Sequence, residues 1–464
     1  MLGVGFFFMR QNKTPEDYYV GGRSMSSWHV GLSVVATDVG GGFSIALGGL
    51  GFTMGLSGSW MLFTGLIGAW LSAVLLIPKI KQLSTDFRIL TFPQIFARHY
   101  GPNVALVAGI ISGIGYLGFT SSQLLAGAKL TSSTFDTISM DQALITMGII
   151  AVVYTVLGGL KAVIFTDTIQ WIILLAGLIF IGIPMSVHAL GGIDAVIAAA
   201  DPQMLSLQNI TWVQLVNWAI TILPIWFVGM TLYQRIYACK NEKDAKKAWF
   251  IAGLFEYPIM AFLGVTMGLL AKIAMEQGML DGVAAGASID EETGLPLLLK
   301  SILPAGIMGL MLSAYFSAIL STADSCLMAA SGNVVTDIIA RFFHIEDRNN
   351  LRISMIVTFF LGAIALLLAM SMDNVLDLML KSYAFMVSGL LVPVIGMIFW
   401  KKRSAIGALA AMIGGGTTTL LLQHPDISLP FGLDPNVFGI AVSALLFIIF
   451  TNTNPLPSHA RETA

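Results

Sequence analysis

Residues 36–42 read Ala36-Thr37-Asp38-Val39-Gly40-Gly41-Gly42, inside an apolar segment that runs from Trp28 to about Phe52. An ionisable side chain at membrane depth costs about 3 kcal/mol and is usually functional. Each glycine in a helix interior costs about 1 kcal/mol relative to alanine. The stretch therefore predicts a helix that is broken near mid-membrane, with free backbone carbonyls beside the Asp38 carboxylate. The alternative is a helix that kinks for close packing and pairs Asp38 with a neighbouring helix.

The composition is that of an integral membrane protein. Of the 464 residues, 56% are apolar and only 11% are charged, against about 25% charged in soluble domains. The formal net charge of −2 offers no basic surface for nucleic acid. The two cysteines, Cys239 and Cys326, lie in or beside apolar segments and do not indicate a disulfide framework. We expect an all-α protein of the bacterial cytoplasmic membrane.

About twelve apolar segments are long enough to span a bilayer, which takes about 20 residues. They lie near 28–53, 58–78, 102–131, 141–158, 164–188, 214–239, 247–274, 304–340, 351–371, 375–400, 404–423 and 436–451. Residues 1–9 form a shorter apolar stub, which we interpret as part of a truncated peripheral helix. Residues 276–300 are polar and predict one external loop. The chain is thus expected to form a single transmembrane domain over 1–464, with a core over 28–400 and two peripheral helices over 404–451.

The basic residues predict the orientation. With the loop after the stub in the cytoplasm, all but four of the 24 Lys and Arg residues fall in cytoplasmic loops or helix ends, Arg235 among them. The four others are Lys129, Lys272, Lys300 and Lys381. Cytoplasmic loops carry such an excess of positive charge. The C-terminus is therefore expected in the cytoplasm.

Two interrupted helices suggest an inverted repeat. The broken segment 28–53 opens one set of five spans, and five spans later the segment 214–239 carries Pro224 and Gly229 near its middle. Paired interrupted helices at corresponding positions indicate a binding site at the midplane of a transporter. Glycine and proline are also common in membrane helices without such a role.

A second polar constellation lies at Ser321-Thr322-Ala323-Asp324-Ser325. In a helix Ser321 and Ser325 lie one turn apart, Asp324 is three residues from Ser321, and Thr322 is at the edge of the same face. Hard cations take oxygen ligands, so this face suits Na⁺ together with carbonyls from a broken helix. The alternative is that the hydroxyls bond back to their own helix, which does not explain Asp324.

Other buried polar and aromatic side chains are candidates with less definite roles. Asp167 lies about six residues inside an apolar segment, where it either pairs with Lys161 or serves an ion that leaves inward. Glu256 is intramembrane and has no assigned role. Trp226, Tyr233, Phe43 and Trp60 lie on or near the broken helices and either line a solute pocket or pack. No phosphate-binding loop, zinc-site spacing or nucleophile triad is found in the sequence, and we do not expect an enzyme.

Four stretches, in order, resemble the sodium:solute symporter family: Thr14-Pro15-Glu16-Asp17-Tyr18-Tyr19-Val20-Gly21-Gly22-Arg23, the run from Gly158 to Gln170, Tyr233-Gln234-Arg235 and Ser321–Ser325. The resemblance covers nearly the whole chain and implies a core of five plus five inverted helices. It also implies Na⁺ bound between the first and eighth core helices. The ligands carried over by position are carbonyls of Ala36, Val39 and Ala318 and hydroxyls of Ser321 and Thr322.

The same resemblance implies further roles. Asp167, with Asp324 and Ser325, matches a second or exit sodium site. Asp38 matches an acid that sodium/proline symporters need for Na⁺, whereas Gly40 stands where those proteins have serine, which argues against proline. The Val39–Gly42 and Ala323–Ser325 runs are similar to choline transporters, but the tryptophan cage of those proteins is missing, which argues against a quaternary amine.

We therefore expect a sodium-driven importer of a small polar solute, with Na⁺ and membrane lipid as its other partners and no nucleic acid. Asp38, Gly40, Gly41, Phe43 and Trp226 are the predicted solute and coupling residues. Since no buried arginine is expected at the midplane, the solute is predicted to be neutral, zwitterionic or monocarboxylate. The N-terminal ends of half-helices at Gly40–Gly42 and near Pro224 could hold an anionic group. A proton-coupled carrier using Asp38, Asp167 or Asp324, or a transporter-like sensor, is the alternative.

Overall fold

The structure is a computed structural model, and it describes residues 15–38, 40–158, 160–285, 287–343, 347–424 and 426–454. The stub predicted at residues 1–9 lies outside the described residues, and so does Val39. Over the described ranges the regular structure is helical, apart from one isolated parallel bridge between Met25 and Cys239. The predicted all-α class is confirmed.

The helices have the following bounds. In chain order the described α-helices are α1 (Pro15–Val20), α2 (Ser27–Asp38), α3 (Gly41–Met54), α4 (Trp60–Leu75), α5 (Ile77–Phe87), α6 (Pro93–His99), α7 (Pro102–Thr134), α8 (Met140–Gly158), α9 (Leu160–Gly177), α10 (Ile183–Ala189), α11 (Ile193–Ala199), α12 (Trp212–Val228), α13 (Met230–Ala238), α14 (Glu242–Leu254), α15 (Ala261–Glu276), α16 (Gly294–Ile302), α17 (Ala305–Gly332), α18 (Ala340–Phe342), α19 (Asp347–Ala369), α20 (Val375–Phe399), α21 (Ala405–Leu422) and α22 (Pro435–Thr453). Short 3₁₀ and π-helical turns connect several of them.

The number of spans is smaller when counted by length and hydropathy. Among the described residues nine helical runs are long and apolar enough to cross a membrane, or ten if the bent pair α12 and α13 counts as one. The number of twelve spans stays a prediction. The segment predicted at 28–53 corresponds to α2 and α3 and that at 58–78 to α4; the run Gly42–Leu75 joins α3 and α4 across a 3₁₀ turn at Gly55–Ser59, and Met140–Val156 is a shorter apolar helix.

The first broken helix has the predicted position. Helix α2 ends at Asp38 and α3 begins at Gly41, and Gly40 between them is extended, with φ −43° and ψ −170°. A Cβ atom on Gly40 would lie 1.8 Å from Thr322 Oγ1 and 2.6 Å from the Ala36 carbonyl oxygen. Only glycine therefore allows the broken backbone to lie this close to α17.

Of the two residues expected to interrupt the second broken helix, Pro224 and Gly229, the helix bends at Gly229. Helices α12 and α13 meet at Gly229 with a bend of 42°, while Pro224 remains inside α12. The half-helix thus starts after Gly229, not near Pro224. The Thr231 backbone N–H at this start donates to Tyr116 Oη at 3.2 Å. A side chain of α7 therefore occupies the freed donor.

Helix packing brings the polar segments together. Helix α2 packs against α9 and α14, α17 packs against α7 and α9, and α13 contacts both α2 and α17. Polar residues of α2, α9, α13 and α17 therefore meet in the interior. Helices α21 and α22 pack chiefly against each other and α20.

Candidate functional site

Three of the predicted sodium ligands lie together where α2 ends against α17. Thr322 Oγ1 lies 3.0 Å from the Ala36 carbonyl oxygen and 3.1 Å from the Ala318 carbonyl oxygen. All three residues are buried. Two carbonyls and a hydroxyl at these separations form an oxygen cluster of the kind that a hard cation prefers. Val39, the remaining predicted carbonyl, lies outside the described residues.

Ser321, the fifth predicted ligand, takes part in a neighbouring contact. Its hydroxyl donates to Asp167 Oδ1 on α9. Asp167 Oδ2 in turn accepts from the Ser33 hydroxyl on α2. Ser321 therefore connects the oxygen cluster around Thr322 to the predicted second site around Asp167.

Asp167 forms an ion pair with Arg235. Its Oδ2 lies 3.3 Å from Arg235 Nη2, and both side chains are fully buried. Arg235 is thus the partner of Asp167 among the described side chains; the side chain of Lys161, the partner considered from the sequence, lies outside them. The sequence analysis expected no buried arginine at the midplane, and Arg235 is a fully buried arginine in the interior. Arg235 falls inside the apolar segment predicted at 214–239, and this position in the sequence indicates that its side chain is buried.

The remaining donors of Arg235 are also used. Nε donates to Ser33 Oγ at 3.0 Å, Nη1 to the Thr231 carbonyl at 3.2 Å, and Nη2 to Ser325 Oγ at 3.0 Å and to Thr37. A buried ion pair is tolerated only when additional hydrogen bonds satisfy its polar atoms. The guanidinium thus ties α2, α9 and α17 to α13, the second half of the second broken helix.

Asp324 points to a different neighbour from Ser321 and Ser325. Its Oδ1 accepts from Thr155 Oγ1 on α8, and its Oδ2 has no hydrogen-bond partner among the residues that the structure describes. The predicted set of Asp167, Asp324 and Ser325 is therefore divided. Asp167 and Ser325 share the Arg235 network, and Asp324 lies on the α8 side of the same helix.

Asp38, the acid of the first break, contacts α20. Tyr383 Oη donates to Asp38 Oδ1 at 3.3 Å, and Asp38 is 8% exposed. The Tyr383 ring stacks on Phe119 with ring centroids 4.9 Å apart. The sequence analysis did not single out Tyr383, although its position inside the apolar segment 375–400 indicates a buried phenol that needs a hydrogen-bond partner.

The glycine run after Asp38 is capped by a side chain. Gln123 Oε1 on α7 accepts from the Gly42 backbone N–H at 3.2 Å. This N–H is one of the donors left free at the start of α3, where an anionic group was expected to bind. Gln123 was not among the predicted residues, though it is an amide inside the apolar segment 102–131.

The two predicted aromatic residues are buried. Phe43 is 2% exposed, next to the capped glycines. Trp226 is fully buried on α12, edge-on to Trp249 at 6.3 Å between ring centroids. The indole of Trp226 lies over Gly68 of α4, where an added Cβ would come within 2.5 Å of it. Trp226 therefore faces α4 and α14.

Comparison with known proteins agrees with this geometry. The model of the sodium:solute symporter family matches residues 18–415. A high-affinity proline transporter of Bacillus subtilis is 29% identical over 99% of this chain and 97% of its own length. A sodium/pantothenate symporter of Escherichia coli is 25% identical over 97% of this chain and 93% of its own length.

Solved structures show the same fold. A substrate-bound, outward-open Na⁺-coupled sialic acid symporter superposes with a TM-score of 0.82 at 20% identity, covering 98% of this chain and 96% of that one. A nucleobase-cation-symport-1 family transporter in a closed conformation superposes with a TM-score of 0.62 at 14% identity, covering 97% and 98%.

Proposed function

The chain belongs to the sodium:solute symporter family, and from that premise we propose that its solute is small, polar, and neutral, zwitterionic or monocarboxylate. The protein is a multi-pass membrane transporter, not an enzyme, and it couples movement of a small solute to Na⁺. Its curated relatives include transporters of proline, pantothenate and glucose. These three solutes differ in charge, but all three are small and polar.

The observation that carries the proposed sodium site is the position of Thr322. Its hydroxyl lies 3.0 Å and 3.1 Å from two carbonyl oxygens on two different helices. We assign Ala36, Val39, Ala318, Ser321 and Thr322 as the ligands. Na⁺ bound there would take the place of the hydrogen bonds that Thr322 makes with these carbonyls. It would thereby join the broken helix to α17.

A second or exit sodium site is proposed around Asp167. Asp167 and Ser325 lie in one buried network with Ser321 and Arg235, which supports a route for Na⁺ from the first site inward. Asp324 belongs to this site only if its side chain leaves Thr155. The carboxylate of Asp167 is shared with the guanidinium, so Na⁺ there competes with Arg235 for the same oxygens.

The solute is proposed to bind beside the first break, near Asp38, Gly40, Gly41, Phe43 and Trp226. Tyr383 and Gln123 join this set because they contact Asp38 and Gly42. Arg235 is the buried arginine nearby, and Asp167 already neutralises it. An anion with two free carboxylates would therefore find no uncommitted arginine among the described residues of this region.

Alternating access supplies the transport mechanism. The core over 28–400 would rock around the midplane site, with the helices of 404–451 outside it and the C-terminus in the cytoplasm. Each Na⁺ that moves inward contributes about 2.3 kcal/mol per 100 mV of membrane potential. This free energy is available to concentrate the solute.

Uptake into proteoliposomes tests the proposal. The purified chain is reconstituted and offered radiolabelled proline, pantothenate, glucose and myo-inositol, each with an inward Na⁺ gradient or with K⁺ in its place. Uptake of at least one solute is expected with Na⁺ alone, and empty liposomes control for leakage. The charge assignment fails if a dicarboxylate or a polyamine competes better than every zwitterion, sugar and monocarboxylate in the panel.

A further inference from the structure

A cavity of about 470 Å³ lies between α12, α20 and the connection from α21 to α22. We call it the α12–α20 cavity. None of its described lining residues belongs to the proposed sodium or solute sites. Its volume lies within the range of about 300–1,000 Å³ that small-molecule sites occupy. The cavity is therefore large enough for a ligand of its own.

One face of α20 forms a wall of this cavity. The lining residues of α20 follow helical spacings of three and four, which place them on one side of the helix: Asp377, Leu380, Lys381 and Ala384. A different face carries Tyr383, whose Oη donates to Asp38 Oδ1 at 3.3 Å. One helix thus contacts both the α12–α20 cavity and the acid of the first break.

The connection that leads into α22 is held in place by buried amides. Asn217 Nδ2 donates to Asp434 Oδ1 at 3.1 Å and to the Gly432 carbonyl at 3.0 Å, and Asn217 Oδ1 accepts from the Asp434 backbone N–H at 3.1 Å. Asn436 Nδ2 donates to Thr221 Oγ1 at 2.8 Å. Asn217, Thr221 and Asn436 are all buried. These bonds fix the start of α22 against α12, so this side of the cavity is preformed.

Asp434 is a carboxylate in the cavity lining that lacks a cation. It stands at the N-cap position of α22, but its side chain makes no capping hydrogen bond there. Among the side chains that the structure describes, no Lys, Arg or His lies within ion-pair distance of it, and its Oδ1 accepts from the neutral amide of Asn217. A partly buried carboxylate in this situation is stabilised by a cation that enters the cavity.

The other charges of the lining are already paired. Lys381 Nζ lies 2.7 Å from Asp377 Oδ2, and His424 Nδ1 lies 3.5 Å from Oδ2 of the exposed Asp426. An anion in the cavity would therefore meet the carboxylates of Asp377 and Asp434 and find no uncommitted ammonium group among the described residues. The charge of the lining favours a cationic ligand.

The remaining walls are apolar and decide what kind of cation fits. They are formed mainly by aliphatic side chains from three parts of the chain: Leu380, Leu422, Ile427, Leu429 and Leu433. A bare metal ion needs several oxygen ligands, and no group of three or more His, Cys, Asp or Glu among the described residues could hold one. An ammonium group on an apolar chain matches both the carboxylate and the aliphatic walls.

We propose that the α12–α20 cavity is a second binding site, separate from the solute site, for an organic ammonium compound with an apolar chain. The ammonium group donates to Asp434, and the chain packs on the leucine side chains of the walls. The occupant then joins α12 to α20 and so bears on the helix that contacts Asp38. The site does not depend on which solute the protein carries.

The first test uses n-hexylammonium chloride as the probe, titrated by calorimetry into the purified protein in detergent with K⁺ and no Na⁺. The wild-type protein should bind the probe, whereas hexanol and hexanoate should bind at least several-fold more weakly. Asp434→Asn keeps an oxygen that can accept from Asn217, and it should weaken binding about tenfold or more because a charged hydrogen bond is lost. Asp426→Asn removes a carboxylate that is 90% exposed and does not line the cavity, and is the matched control that should bind as wild type.

The same titration on Asp38→Asn separates the two sites. Unchanged affinity for hexylammonium in this variant is expected, because Asp38 lies outside the cavity. Affinity that is lost in Asp38→Asn and retained in Asp434→Asn would place the probe in the solute site and overturn the proposal. Equal binding of hexanol and hexylammonium would also overturn it, since the carboxylate would then have no role.

A second measurement needs no variant. A photoreactive alkylamine that carries a diazirine is irradiated with the wild-type protein, and mass spectrometry locates the adduct. Labelling is expected within residues 377–384 or 422–435 and should fall several-fold when excess hexylammonium is present. Protected adducts that lie only outside these two stretches contradict the proposal. Neither measurement reads Na⁺ coupling, so a failure of the proposed sodium-driven transport would be recognised separately, by uptake into proteoliposomes.

Discussion

Arg235 Nη2 lies 3.3 Å from Asp167 Oδ2, and neither side chain is accessible to solvent. The pair connects α13, the second half of the second broken helix, to α9. It also lies beside the hydroxyls of Ser321 and Ser325, which come from the helix that carries the oxygen cluster around Thr322. Any movement of α13 that separates the pair would free the Asp167 carboxylate for Na⁺.

Replacement of Arg235 tests this relationship. Arg235→Gln leaves a buried carboxylate without its counter-ion, and removal of one partner from a buried pair costs about 3–5 kcal/mol. We expect a lower melting temperature in K⁺ and partial recovery in Na⁺, because Na⁺ can then neutralise Asp167. The double variant Arg235→Gln with Asp167→Asn should be more stable in K⁺ than the single variant. Equal melting temperatures for the two variants would show that the pair contributes little.

Removal of the hydroxyls of Ser321 and Thr322 tests the first sodium site. Thr322→Val keeps the side-chain shape and removes an oxygen 3.0 Å from the Ala36 carbonyl. We expect the half-saturating Na⁺ concentration to rise several-fold, and further in the double variant with Ser321→Ala. Ser321→Ala alone should have a smaller effect on Na⁺ affinity, because its hydroxyl is bonded to Asp167. Wild-type Na⁺ dependence in the double variant would place the site elsewhere.

The charge of Asp38 should be needed for coupling. Asp38→Asn keeps the shape and an oxygen that can accept from Tyr383, so the protein should fold and insert, yet show little Na⁺-driven uptake. Tyr383→Phe removes only a hydrogen bond of 3.3 Å, worth about 1 kcal/mol, and should retain coupled uptake with a reduced rate. Unchanged uptake in Asp38→Asn would reduce Asp38 to a structural residue.

The sequence predicted what depends on local chemistry. Consecutive glycines next to an acid indicated the break at Gly40, and the hydroxyl spacing from Ser321 indicated the polar face of α17. Both signals lie within a few residues and follow from helix geometry. Position in the family motifs added Ala36 and Ala318, which the structure places beside Thr322.

Contacts between distant segments were not predictable in the same way. Tyr383 is 345 positions from Asp38, and Arg235 is 68 positions from Asp167. Charge counting assigned Arg235 to the cytoplasmic face, because positive residues are commonest there and the rule ignores individual partners. The direction of Asp324 likewise depends on Thr155 of another helix, which spacing along α17 does not reveal.

The loop over residues 276–300, predicted to be external, should be held closed by Lys129 and Glu292. Lys129 Nζ lies 2.7 Å from Glu292 Oε2, and the same carboxylate accepts from the backbone N–H groups of Val375 and Leu376 at 2.9 Å each. Glu292→Ala removes the link from the loop to the start of α20 and one of two carboxylates that hold Lys129 on α7; the other, Asp290, has its Oδ2 2.5 Å from Lys129 Nζ and remains. We expect faster modification of a cysteine introduced at Met372 by a membrane-impermeant thiol reagent, in a background that lacks Cys239 and Cys326. Lys300→Ala, which breaks an ion pair with the exposed Asp136, is the matched control and should leave the rate unchanged. If both variants react alike, Glu292 does not restrain the loop.

Gly40→Ala should weaken Na⁺ binding without removing any proposed ligand. The added Cβ would lie 1.8 Å from Thr322 Oγ1 and 2.6 Å from the Ala36 carbonyl oxygen. Thr322 would have to rotate or the broken segment would have to move away from α17, so the two helices could no longer present their oxygens to one ion. The half-saturating Na⁺ concentration should rise at least as much as in Thr322→Val. Gly309→Ala adds the same methyl group to α17, where no atom lies within 4 Å of it, and should retain wild-type Na⁺ affinity. Wild-type affinity in Gly40→Ala as well would mean that Na⁺ does not bind where the break meets Thr322.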